Sequence, residues 1–178
     1  MNIGEEYAKM IHKFFGDIYT YWSACRMPSI AISILVGICV YSVNKNRISH
    51  NILITRTVSA GLFGGYLVCF LYITLFMRFV GYRREADFIP FHFLMNYQVE
   101  FVLFMENIVL FIPMGLYVQS IRKRSKYTLC VCAIISVIIE LLQFVFGCGK
   151  TEIDDVIANT FGAWIGIHIN NEVQKKVK

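Results

Sequence analysis

The chain has 178 residues, 57% hydrophobic and 16% charged, with a formal net charge of +5 at pH 7. An average soluble domain is about 25% charged, so groups that face water are scarce, and 15 Phe and 10 Tyr against 3 Pro fit a lipid-facing protein with interfacial aromatics. The length allows a single domain over residues 1–178, and the basic residues sit in short clusters between apolar runs, which marks loops flanking membrane helices and speaks against nucleic acid.

The first stretch, "EEYAKMIHKFFGDIYTYW", places Tyr7, Met10, Ile11, Phe14, Phe15 and Ile18 at helical spacing, with Glu6, Lys9, Lys13 and Asp17 elsewhere. That pattern predicts an amphipathic helix within residues 1–25, lying on the membrane surface. No small-residue cleavage site follows an apolar core, so it does not read as a secretory signal. A membrane helix needs about 20 mostly apolar residues, and the intervals between charges give five candidates: 27–44, 57–77, 101–121, 127–149 and 153–170. "ADFIPFHFLMNY" (86–97) is apolar but too short to span and carries Pro90, which predicts an interfacial or re-entrant segment. The expected fold is therefore all-α: a polytopic membrane bundle of about five transmembrane helices, plus the amphipathic helix and the short interfacial segment.

Orientation follows from Lys and Arg. The N-terminal segment and the second and fourth loops carry Lys9, Lys13, Arg26, Arg78, Arg83, Arg84 and Lys150. The first and third loops and the tail carry Lys45, Arg47, Arg56, Arg122, Lys123, Arg124, Lys126, Lys175, Lys176 and Lys178. The excess on the second set puts the N-terminus outside and the C-terminus in the cytoplasm. Cys39, Cys69, Cys130 and Cys132 lie inside apolar runs, where Cys acts as a small hydrophobe. Cys25 and Cys148 lie near run ends and could share a membrane face, but spacing does not fix their distance.

The last three spans carry polar residues that lipid disfavours. From a rise of about 1.5 Å per residue, Glu140 lies roughly 20 Å from the cytoplasmic side and Glu106 ~8–9 Å below the outer surface. Asp154 and Asp155 open the fifth span, with Asn159 one turn deeper. Ser136, Glu140 and Gln143 share one helical face, as do Asp155, Asn159 and Gly162 on the next helix. A charge at mid-membrane costs at least ~2.5–3.5 kcal/mol, so each acid must be neutralised or paired. Arg78, Arg83, Arg84 and Lys150 stand at the right level. Three uses are compatible with this pattern: interhelical glue, a polar cleft open to the outer surface, or translocation. The last is disfavoured by the scarcity of polar residues in the inner half.

Metal binding finds no HxxxH, HExxH or CxxC spacing, and His92 with Glu106 and Asp155 is the only combination worth weighing. No metal and no cofactor are expected. No Ser-His-Asp order stands out, and adjacent helical residues such as Asp154 and Asp155 diverge by about 100°. "GLFGG" (61–65) lies inside a span and reads as helix packing.

Four blocks, "DFIPF" (87–91), "ENIVLFIPMG" (106–115), "SVIIELLQ" (136–143) and "EIDDVIANTFGAWIG" (152–166), resemble in order and spacing the signature blocks of the VanZ-like membrane proteins. The resemblance covers roughly residues 80–170. It implies a small multi-pass bacterial membrane protein of a family whose founding member is linked to low-level teicoplanin resistance. The motif positions it carries over are Asp87, Pro90, Phe91, Glu106, Asn107, Pro113, Glu140, Gln143, Asp154, Asp155, Asn159 and Gly162. Family members commonly have an Arg shortly before the paired aspartates, where this chain has Lys150, a cation without bidentate geometry. The implied role is lowered sensitivity to teicoplanin-like lipoglycopeptides. The candidate ligand-binding residues are Glu106, Asn107, Glu140, Gln143, Asp154, Asp155, Asn159, Arg83, Arg84 and Asp87. The partners implied are the lipid bilayer and a lipoglycopeptide antibiotic or cell-wall precursor lipid. An intramembrane enzyme acting on a lipid-linked envelope substrate and a non-catalytic adaptor remain the alternatives.

Overall fold

The computed structural model describes residues 3–76, 83–94 and 97–177. In chain order they form α1 (Ile3–Asn44), α2 (His50–Leu71) prolonged by a π-helical turn (Tyr72–Phe76), β1 (Arg83–Asp87), a 3₁₀ turn (His92–Leu94), α3 (Tyr97–Arg122), α4 (Ser125–Phe146), β2 (Cys148–Glu152) and α5 (Ile153–Val177). The protein is an all-helical bundle, as composition and periodicity predict. Four helical stretches are long and apolar enough to cross a membrane by length and composition: Ala8–Asn44, His50–Leu75, Glu100–Arg122 and Ser125–Phe146. The fifth helix, α5, is 25 residues long. Its Asp154, Asp155, Asn159 and Asn170 lower its hydropathy, and all four are buried.

Several boundaries differ from the sequence reading; α2 begins at His50, ahead of the expected 57, and α5 runs on to Val177. The amphipathic segment and the first span are one helix, since α1 runs unbroken through Arg26 and Pro28. A proline inside a helix removes one hydrogen bond without ending it, and in apolar surroundings the helix remains the way to satisfy the other backbone groups. The fourth span ends at Phe146, where Gly147 adopts φ 65 and its N–H caps Gln143 and Phe144 carbonyls. A strand follows it: β2 pairs in parallel with β1, with Asp87 opposite Glu152 and Glu85 opposite Lys150.

Residues 1–18 and 74–178 form one compact unit, and residues 19–73 form another. In the first, α3 and α5 run parallel with their backbones in contact. A β-carbon on Gly162 would lie 2.1 Å from the Ile108 carbonyl oxygen, one on Gly166 2.2 Å from that of Ile112, and one on Gly115 2.2 Å from that of Ala163. Helix α4 packs antiparallel to both, presenting the buried row Thr128, Cys132, Ser136, Ile139, Glu140 and Gln143. In the second unit, α2 lies antiparallel to the part of α1 that follows Ile18, again through glycines, with Gly61 and Gly65 against Ser33 and Ser29.

Candidate functional site

The polar residues of α4 and α5 meet as helical phase predicts, but most of them are engaged by backbone and amide partners. Glu140 is 4% exposed. Its Oε2 accepts the Glu152 N–H at 3.1 Å, and its carbonyl accepts the Thr151 hydroxyl at 3.1 Å. A buried carboxylate thus anchors β2, in line with the rule that buried polar groups find partners. Asp154 reaches the other way: its Oδ1 accepts the Phe91 N–H at 2.6 Å. Gln143 donates through Nε2 to the Thr74 carbonyl in the π-helical turn at 2.9 Å. Asn159 donates to Ser136 Oγ at 2.9 Å. Asp155 is buried on α5, and Asn107 is buried on α3 beside the half-buried Glu106. Among the described residues, Asn107 Nδ2, Gln143 Oε1 and Asn159 Oδ1 are buried without a protein hydrogen bond.

Asp87 sits at the end of β1 and organises a second cluster. Its Oδ1 accepts the Ile89 N–H at 3.0 Å. Its Oδ2 accepts Lys150 Nζ at 2.8 Å and the His92 Nδ1–H. Lys150 also bridges Glu152 at 2.5 Å. The parallel strand pair, not helical spacing, brings these four side chains together. The Lys150 hydrogen bond, reinforced by the Ile89 amide and His92, holds the Asp87 carboxyl well below the usual carboxylate range. Burial alone would lower Lys150, but hydrogen bonds to Asp87 and Glu152 outweigh it and raise the ammonium above its ordinary value. Arg83 and Arg84 supply backbone to β1, and their side chains lie outside the described residues, as does Arg78. Among the described residues no group of three or more His, Cys, Asp or Glu is arranged to hold a metal ion.

The sign of these shifts predicts the pH behaviour of the clasp. A carboxylate with a depressed folded-state pKa contributes stability above its unfolded value near 3.9, lost only as pH falls through the lower folded value. A raised lysine contributes below about 10.4 and loses its contribution as pH rises through the higher folded value. The melting-temperature gap between wild type and Asp87→Asn is therefore expected to persist from about pH 5 to pH 9 and to close only in stronger acid. A gap that closes at pH 6 would contradict the ion pair.

Next to this clasp an apolar cavity of about 370 Å³ opens among Phe88, Val137, Leu141, Phe144 and Val156, with Glu140 in its wall. The segment after Asp87 projects Phe88, Ile89, Phe91 and Leu94, each more than half exposed, with Phe88 at 72%. An exposed run of large apolar side chains beside an ion-paired strand suits a membrane–water interface, where the sequence placed it.

Sequence reasoning missed a polar network at the opposite end of the bundle. Thr128 Oγ1 donates to Gln119 Oε1 at 2.8 Å, Gln119 Nε2 donates to Asn171 Oδ1 at 2.9 Å, and Ser125 Oγ accepts from both amides at 3.2 Å. The signal was available: Ser125, Thr128, Cys132 and Ser136 repeat at three- and four-residue spacing, continuing the Glu140 face.

Comparison with known proteins agrees with the four blocks. The family model described as VanZ/LLP1 matches residues 63–171. The chain is 28% identical over 123 residues to Protein VanZ of Enterococcus faecium, a stretch covering 64% of this chain and 74% of that protein. No solved structure matches. The matched region holds both strands, α3, α4 and most of α5, hence Asp87, Lys150 and the buried acids together. With well over half its length under that model, this membrane protein belongs to the VanZ/LLP1 family.

Proposed function

We propose that the chain is a multi-pass protein of a bacterial cell membrane, N-terminus outside, that lowers sensitivity to teicoplanin-like lipoglycopeptides. In this reading α5 is a fifth crossing. The Asp87/Lys150/Glu152 clasp, the apolar cavity and the Phe88–Leu94 tip then lie at the outer leaflet. The observation that carries the reading is this adjacency of fixed charges and apolar volume. An amphiphile with a fatty tail and a charged, hydrogen-bonding head meets both halves at once: the tail lies along Leu141, Phe144 and Val156, and the head meets Lys150 and Glu152. A lipidated antibiotic or a cell-wall precursor lipid has that chemistry. Glu106, Asn107, Gln143, Asp155 and Asn159 form the inner, amide-rich part of the same cleft, and Asp154 and Glu140 hold its loop and strand in place.

The test is expression in a susceptible Gram-positive host. Wild type is expected to raise the inhibitory concentration of teicoplanin several-fold and leave that of vancomycin unchanged. Glu140→Gln and Asp155→Asn should remove most of the protection. Unchanged protection in both, at unchanged protein level, rules the cleft out.

One observation favours a second reading. The ionised Asp87 accepts from His92 Nδ1 and so leaves Nε2 as the nitrogen able to exchange a proton, the orienting half of an acid–base pair. An enzyme acting on a lipid-linked envelope substrate would use it. His92→Gln separates the two: an enzyme loses its effect while still retaining its amphiphile in the membrane, whereas a binding site keeps the effect.

A further inference from the structure

The unit formed by residues 19–73 contains a thiol pair that the function above does not use. Its two helices touch backbone to backbone. A β-carbon on Gly65 would stand 2.2 Å from Ser33 Oγ and 2.9 Å from the Ser29 carbonyl oxygen, and one on Gly61 2.8 Å from the Ser33 carbonyl oxygen. Small residues at such a crossing bring helix axes unusually close. One turn beyond Gly65 stands Cys69, and one turn before Ser29 stands Cys25, so the antiparallel pair carries both thiols to the same level. Ser29 Oγ and Cys69 Sγ are 3.0 Å apart. The Cys25 thiol lies 3.0 Å from the Tyr21 carbonyl, one turn from the Ser29 that meets Cys69. Cys25 is 1% exposed, and Cys69 is partly exposed. Both are free thiols.

We propose that Cys25 and Cys69 are a redox pair whose disulfide clasps α1 to α2. A disulfide needs α-carbons about 4.4–6.8 Å apart, a range that two helices reach where glycine lets their backbones touch. The oxidant is a thiol oxidase carrying a reactive disulfide. Cys69, the more accessible thiol, gives up its proton and attacks one sulfur of that disulfide to form a mixed disulfide, and the oxidant's other sulfur leaves as a thiolate. Cys25 then loses its proton and attacks the Cys69 sulfur, the Cys25–Cys69 bond forms, and the oxidant departs as a dithiol. Two thiols are oxidised, one disulfide is reduced, and the two protons end on the departing dithiol. The sequence reading weighed Cys25 against Cys148. The partner the helix crossing supplies is Cys69.

The experiment uses full-length protein in membranes treated with diamide, then denatured, alkylated and digested. Wild type is expected to lose two alkylatable thiols and to yield one cross-linked peptide joining residues 25 and 69, both reversed by reductant. Cys69→Ser, which keeps a hydroxyl for Ser29, and Cys25→Ser should each abolish the loss. Cys39→Ser, an exposed thiol on α1, should leave it intact. Should Cys25→Ser fail to accumulate, Cys69→Ser alone decides. No cross-link in wild type, a cross-link joining another pair, or a two-thiol loss that persists in Cys69→Ser would overturn the proposal.

Discussion

Replacing Gly162 with alanine is expected to abolish the native packing of α3 on α5, with a loss of stability at or above the upper end of the ~1–3 kcal/mol typical of overpacking. The added β-carbon would sit 2.1 Å from the Ile108 carbonyl oxygen and 2.9 Å from its carbon. Both atoms are helix backbone, so no rotamer change relieves the clash, and the helices must separate by about 1 Å to approach an ordinary contact distance of roughly 3.5 Å. Separation here also breaks the matching contacts of Gly166 and Gly115, because the same two helices meet at all three. Gly16→Ala is the control: nothing lies within 4 Å of its added carbon, and alanine's helix propensity favours it by about 1 kcal/mol. Thermal unfolding in detergent measures the contrast. Gly16→Ala should melt at or above wild type, and Gly162→Ala far below it or not accumulate as a monodisperse species. Equal melting of the two variants would mean that α3 and α5 do not approach as described.

That contrast also marks what sequence can and cannot reveal. Gly162, Ala163 and Gly166 announced a close helix contact through their spacing. Ser136, Glu140 and Gln143 announced a shared polar face, because both inferences need only the helical period. The strand pair was illegible for the opposite reason. "RREAD" and "CGKTE" are charged or glycine-bearing, carry a single β-branched residue between them, and show no alternation. They pair because the Gly147 cap and Glu140 aim β2 back toward β1, a tertiary cause with no local trace. The acids gain partners that no count of charges names: Glu140 and Asp154 accept backbone N–H groups from Glu152 and Phe91. Lys150 stands between Asp87 and Glu152, one contact to each, which a lysine's separate donors satisfy without a planar fork. The continuity of α1 was hidden by Arg26, a charge that bounds an apolar interval in the sequence yet sits within the helix.

The second large effect concerns Phe91, whose φ of 62 is left-handed, a conformation that costs a bulky residue roughly 1–2 kcal/mol. Two hydrogen bonds hold it there: its N–H to Asp154 Oδ1 at 2.6 Å, and its carbonyl from the Leu94 N–H at 3.1 Å. A hydrogen bond to a charged group contributes about 1.5–3 kcal/mol, enough to offset the strain, whereas the second bond alone contributes about 1 kcal/mol and barely matches it. Asp154→Ala should therefore release the turn from Phe88 to Leu94 while leaving the helices folded. Amide exchange at Phe91 is expected to accelerate about 30- to 150-fold, the range equivalent to ~2–3 kcal/mol. Asp154→Asn should fall between, since its amide oxygen still accepts but without the charge. Exchange unchanged in Asp154→Ala would show that the turn is held by other contacts. The consequence reaches the proposed function, because the same turn presents Phe88, Ile89 and Leu94 and carries His92 to Asp87. Under the proposed function, the acid buried at the head of α5 would act on the amphiphile without touching it, by fixing the loop beside the cavity.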